Sequence, residues 1–82
     1  MSHDKIEAKL IYMANQIAGF FKTQPASEAA LGVATHINKF WEPRMRRQLF
    51  ALIDGGEPSL SPLVLEASAL IKRPEPASLD QP

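Results

Sequence analysis

The chain has 82 residues, with nine Lys plus Arg against nine Asp plus Glu and no cysteine. That length builds one small domain with one core, which buries only about 60–65% of its unfolded surface. Zero net charge supplies no global field to hold the chain on nucleic acid or an anionic membrane, and the lack of cysteine excludes disulfides, thiolate metal sites and cysteine nucleophiles.

The first predicted helix carries Ile6, Leu10, Met13, Ile17 and Phe20/Phe21 at intervals of three and four and runs to about Lys22, with Asp4 and Glu7 at capping-box spacing. Thr23-Gln24-Pro25 stops it. Ser27 is the expected N-cap of a second helix whose stripe is Ala30, Val33, Ala34, Ile37 and Trp41, with Phe40 at its edge. Residues before proline avoid the α region, so Glu42 ends it. Pro43 suits the first turn of a third helix, with Met45, Leu49, Leu52 and Ile53 on one face and a stop at Gly55-Gly56. A fourth opens at Ser61-Pro62, with Leu60 and Leu65 spaced as a hydrophobic staple and a stripe of Leu63, Ala67, Leu70 and Ile71. From Pro74 the chain is Pro-rich, polar and aperiodic. These patterns predict an all-α fold: a small single-domain helical bundle of three to four short helices over residues 1–73, with a disordered C-terminal tail over 74–82.

Charge is unevenly spread along this frame. Residues 35–53 carry Lys39, Arg44, Arg46 and Arg47 against Glu42, whereas residues 54–82 carry five acids against Lys72 and Arg73. The basic stretch coincides with the joint between the second and third helices, where Phe40, Trp41 and Pro43 also lie. Trp and Arg are the residues that most often anchor interfaces, so the joint reads as a recognition surface. Trp41 falls on the core stripe and is expected to be buried. The expected partner-binding residues are therefore Phe40, Pro43, Arg44, Arg46 and Phe50, the last lying off its helix's stripe four residues after Arg46. Asn15 joins them from a strip of Ala8, Tyr12, Asn15 and Gly19 opposite the stripe of the first helix, where small residues would let another backbone approach. Replacing Arg44 and Arg46 together is expected to leave the helical fold intact.

No Ser/His/Asp arrangement, Gly-rich phosphate loop or paired-carboxylate signature appears, and His3 and His36 lack a neighbouring ligand pattern. The expectation is a protein without catalytic residues, metal or cofactor. No apolar run approaches the roughly 18 residues of a membrane span and no signal-peptide layout opens the chain, which points to a soluble cytoplasmic protein.

Three blocks then carry a resemblance: Met13-Ala14-Asn15-Gln16-Ile17-Ala18 with Phe20-Phe21; His36-xxx-Phe40-Trp41-Glu42-Pro43-Arg44-Met45-Arg46; and Leu60-xx-Leu63-Val64-xx-Ala67. In this order and spacing they resemble the delta subunit of NAD-dependent, molybdenum-containing formate dehydrogenases, over roughly residues 10 to 70. Glu42 departs from the pattern, standing where the family has Asp. The resemblance implies a small cofactor-free accessory protein that assists assembly or stability of a cytoplasmic complex. The larger subunits of that complex hold the molybdenum centre, iron–sulfur clusters and flavin.

Two other classes compete on the residues alone. A helix-turn-helix built from the second and third helices would set the arginines on phosphates, but a neutral chain with an acidic C-terminal third is poorly equipped for that, and the Glu42-Pro43 joint is tighter than the usual turn. A self-associating helical scaffold would use the same outward apolar residues and is distinguished by the mass of the chain in solution.

Overall fold

The computed structural model describes residues 2–74, with side chains from residue 5 onward. Four helices follow one another, α1 (Ser2–Phe21), α2 (Ala26–Phe40), α3 (Pro43–Asp54) and α4 (Pro62–Ala67), and no strand occurs among the described residues. The fold is all-α, as the helical periodicity predicts. The tail expected over 74–82 lies, from residue 75, outside the described residues.

The breakers act where their chemistry requires, although two caps differ from expectation. α1 is already helical before Asp4, so Asp4 is not its N-cap. The N-cap of α2 is Pro25, two residues ahead of the expected Ser27: at φ −52° and ψ 145°, its carbonyl accepts from the Ala29 N–H at 2.8 Å, and Ser27 lies within the first turn. Between α2 and α3 only Trp41 and Glu42 are extended, with ψ 133° and 156°. The Trp41 N–H still closes the last turn of α2 on the Ile37 carbonyl at 2.9 Å, and the Glu42 carbonyl opens α3 by accepting from Arg46 at 3.0 Å. Proline at the first position of α3 loses no hydrogen bond, because that N–H would be unpaired anyway. α3 ends in a Schellman turn: Gly56 adopts φ +75°, and the Gly56 and Glu57 N–H groups donate to the Ile53 and Leu52 carbonyls. α4 is capped as expected, with Ser61 Oγ accepting from the Leu63 N–H at 3.2 Å.

α1 packs against each of the other three helices, and α2 packs against α1 on one side and α4 on another. The predicted stripe of α2 is buried throughout, Trp41 included at 5% exposure. The other three faces are turned from their predicted positions. In α1 the buried line is Leu10, Ala14 and Ala18, about 60° round from the predicted stripe, at 100° per residue. Met13, Ile17 and Phe21 become its flank, and Phe20 is left outside. Small alanines permit the close approach that a helix packed by three neighbours needs. In α3 the buried residues are Leu49 and Phe50, while Met45, Leu52 and Ile53 are half-buried. In α4 they are Val64 and Ala67, with Leu60 and Ile71 just outside the helix, and Leu65 and Leu70 are exposed rather than stapled or buried.

The irregular stretches around α4 are held by side chains from the other helices. Asn15 of α1 donates through Nδ2 to the Ser59 carbonyl at 2.8 Å, and its Oδ1 accepts from the Ser61 N–H at 2.7 Å. Asn38 of α2 repeats the arrangement, donating to the Leu70 carbonyl at 3.1 Å and accepting from the Lys72 N–H at 2.7 Å. Each amide thus brackets one buried residue, Leu60 or Ile71, by holding the peptide groups on either side of it. Asn offers a donor and an acceptor on one rigid plane, which suits a backbone with no helix or strand partner.

Two consequences are measurable. Asn38→Ala should lower the unfolding free energy by about 1–2 kcal/mol, and Asn38→Asp should cost at least as much, because a carboxylate keeps the acceptor but turns a second oxygen toward the Leu70 carbonyl. Urea titration checks both, and an Asp variant as stable as the parent would refute the paired grip. Trp41→Ala should cost about 3–5 kcal/mol, most of the stability of a small domain. The parent's emission should be blue-shifted and shielded from iodide.

Candidate partner surface

The joint expected to recognise a partner is divided by the fold. Phe40, Pro43 and Arg44 are on the surface, Phe40 at 64% exposure. Arg46 turns inward. Its Nη1 donates to the Lys72 carbonyl at 2.7 Å and its Nε to the Trp41 carbonyl at 3.4 Å, so the guanidinium links the α2–α3 joint to the chain after α4. Phe50, read as an outward residue, is 4% exposed. The chain returns across α3 after α4 and sets the Arg73 guanidinium 4.0 Å from the centre of the Phe50 ring, and Arg73 also forks onto Asp54 at 3.1 and 3.3 Å. The cation facing Phe50 is thus Arg73 rather than Arg46. Asn15 is met by a backbone, as its strip of small residues suggested, but that backbone is residues 59–61 of the same chain. Around Gly19 the space is open.

A different apolar surface is assembled where α1 ends against α2. Phe20 is 76% exposed and Leu31 56%, and with Phe40 they flank two adjoining concavities of about 300 and 440 Å³ that share Phe21 and His36. The geometry follows from helix spacing. His36 and Phe40, four residues apart, meet at a tilt of 45° with ring centres 4.8 Å apart, and the Lys39 ammonium stands 5.7 Å from the centre of the Phe40 ring. Phe20 and Phe21 meet edge to face at 5.1 Å. Gly32 provides the room: a Cβ there would stand 2.6 Å from the Phe21 ring, so only glycine lets that ring lie on α2.

Sequence reasoning missed Phe20 and Leu31 as surface residues. Phe20 shares the three-and-four spacing of the first stripe, and at the last turn of a helix that spacing does not tell which of two adjacent phenylalanines turns inward. Leu31 carried a usable signal, a lone large aliphatic residue off the Ala30/Val33/Ala34/Ile37 stripe. Several contiguous exposed apolar residues of this size mark an interaction site more often than scattered ones do.

Among the described residues no group of three His, Cys, Asp or Glu is placed to hold a metal ion, and no helix is long and apolar enough to cross a membrane. Arg46 directs its Nη1 and Nε donors to two backbone carbonyls of the chain rather than to an outside anion.

The two joint arginines should behave differently. Arg46→Ala should lower the stability of the isolated chain by about 1–2 kcal/mol, whereas Arg44→Ala should change it by less than about 0.5 kcal/mol. For Arg46 this adds a stability cost to the expectation that replacing both leaves the helical fold intact. Thermal melts of the single variants test it, and equal melting temperatures would remove the structural role given to Arg46.

No curated protein matches the chain closely enough to count as a relative. The model of the NADH-dependent formate dehydrogenase delta subunit family, FdsD, matches residues 9–68, from the middle of α1 to just past α4, and the chain belongs to that family.

Proposed function

We propose that this chain is a noncatalytic accessory subunit of a cytoplasmic NAD-dependent formate dehydrogenase, assisting assembly or stability of the complex by protein–protein contact. Family membership carries the reading, since a delta subunit belongs with other subunits. The larger subunits supply the molybdenum centre, iron–sulfur clusters and flavin. The chain contributes a small rigid surface. Contact through the α2–α3 joint uses Phe40, Pro43 and Arg44, the members of that block left outside the fold. An arginine there pairs bidentately with a carboxylate, and its truncation in a desolvated interface typically costs about 2 kcal/mol or more. Arg46 supports this surface from within by donating to the Trp41 carbonyl of the joint, whereas Phe50 and Asn15 are taken up inside the fold.

The test is isolation of the tagged chain from its native cytoplasm in gentle salt. The large molybdenum- and iron–sulfur-containing subunits should co-purify with it, and Arg44→Ala should reduce their recovery without altering the melt of the free chain. The free chain should contain no stoichiometric metal or flavin and should neither oxidise formate nor reduce NAD. One equivalent of molybdenum or iron surviving dialysis would overturn the accessory role, and so would a preparation lacking every large subunit.

A further inference from the structure

One line of residues runs straight along the outer face of α2. Glu28, Gly32, Thr35 and Lys39 follow at steps of four, three and four, the spacing of a helix–helix seam, and all four border the larger concavity. The line has an acid at its N-terminal end and a base at its C-terminal end. Its middle is apolar or small, because the Phe21 ring occupies the space over Gly32 and Thr35 follows. Leu31 flanks it on one side, and Phe20 and His36 on the other.

This order is complementary to itself. A two-fold axis crossing α2 between residues 33 and 34 runs a second α2 antiparallel to the first. It sets Glu28 opposite Lys39 of the copy, and Phe21 over Gly32 opposite Thr35 of the copy, and each pairing occurs twice by symmetry. An isologous contact requires this reciprocity, residue i meeting j while j meets i. The helix dipoles agree with it, since an antiparallel copy brings its N-terminal turn to the C-terminal turn of the first helix. Parallel placement would instead set acid against acid and base against base. On the α1 side, Phe20 and His36 lie beside the middle of the seam, so the aromatic cluster meets its own copy near the axis.

We infer that the chain forms a two-fold symmetric dimer through the outer face of α2, with antiparallel helices, Glu28–Lys39 pairs at both ends and an aromatic centre. The occupant of this face is a second copy. The inference does not depend on the accessory role: the seam lies along α2 and leaves Pro43 and Arg44 of α3 outside it, and only Phe40 borders both surfaces.

Sedimentation equilibrium of the full chain tests it directly. The parent should sediment at twice its 9.1 kDa chain mass. Glu28→Lys and Lys39→Glu should each raise the dissociation constant at least about tenfold, since one substitution creates two like-charge pairs in a symmetric dimer. The double reversal, Glu28→Lys with Lys39→Glu, should restore dimerisation. Thr35→Arg places a bulky charge at the centre of the seam and should give monomer with unchanged helical circular dichroism. A parent chain monomeric at 100 µM or above would overturn the inference, as it would if a different protein's helix covers this face. A dimer unaffected by the single reversals, or not recovered in the double, would place the two-fold contact elsewhere and overturn it equally.

Discussion

The fold depends on how the chain after Asp54 is fastened back onto the first three helices. Among the described residues that part contains one helix of six residues, too short to hold itself, and the described stretches on either side are irregular. Beyond their local turns, their peptide groups find partners in three side chains of the other helices: Asn15 from α1, Asn38 from α2 and Arg46 from α3. Between these grips Leu60, Val64, Ala67 and Ile71 enter the core. Hydrophobic burial supplies the driving force, and the amide and guanidinium contacts decide the register at which it happens. Slipping by one residue would pull Leu60 and Ile71 out of the positions that the asparagines bracket.

The three sequence blocks that carry the resemblance to formate dehydrogenase delta subunits map onto this fastening. The first contains Asn15, the second contains Trp41 and Arg46 and spans Asn38 without specifying it, and the third supplies Leu60, Val64 and Ala67 to the core. Membership in the family therefore marks mainly how the chain folds. Arg44 and Phe40, in the second block, are exceptions because they face outward. Leu31 lies outside all three blocks yet forms one wall of the apolar surface on α2. Phe20 and Phe21, adjacent in the first block, divide between surface and core.

This division bears on which surface the chain presents. The Arg73–Asp54 pair is largely exposed and contributes little by itself, but it positions a guanidinium over the Phe50 ring and so completes the cover of α3. With Arg46 donating to the Trp41 and Lys72 carbonyls, the basic stretch in the sequence offers fewer free guanidinium donors at the surface than its count suggests. Of the exposed large apolar residues, Phe20, Leu31 and Phe40 gather where α1 meets α2, bordered by one acid and one base.

Sequence by itself determined the four helices, their breakers at Pro25, Pro43, Gly55-Gly56 and Pro62, and the buried face of α2. Each of these rests on local chemistry: a missing N–H, a positive φ, or a stripe packed by neighbours on both sides. The depth of Trp41 was legible for the same reason, because it continues the α2 stripe. Only the tertiary structure decided which way α1, α3 and α4 turn. Periodicity places the centre of apolar residues on a helix, but the direction from which neighbours arrive sets the buried line. Ala14 and Ala18 count little in an apolar stripe and much in a close approach. Phe50 went inward, and Arg46 with it, because the chain returns over α3 some twenty residues later, a contact that no local spacing encodes. Asn15 and Asn38 look like ordinary polar positions until that returning backbone lies beside them, and the surface of Phe20, Leu31 and Phe40 exists only once α1 and α2 are side by side.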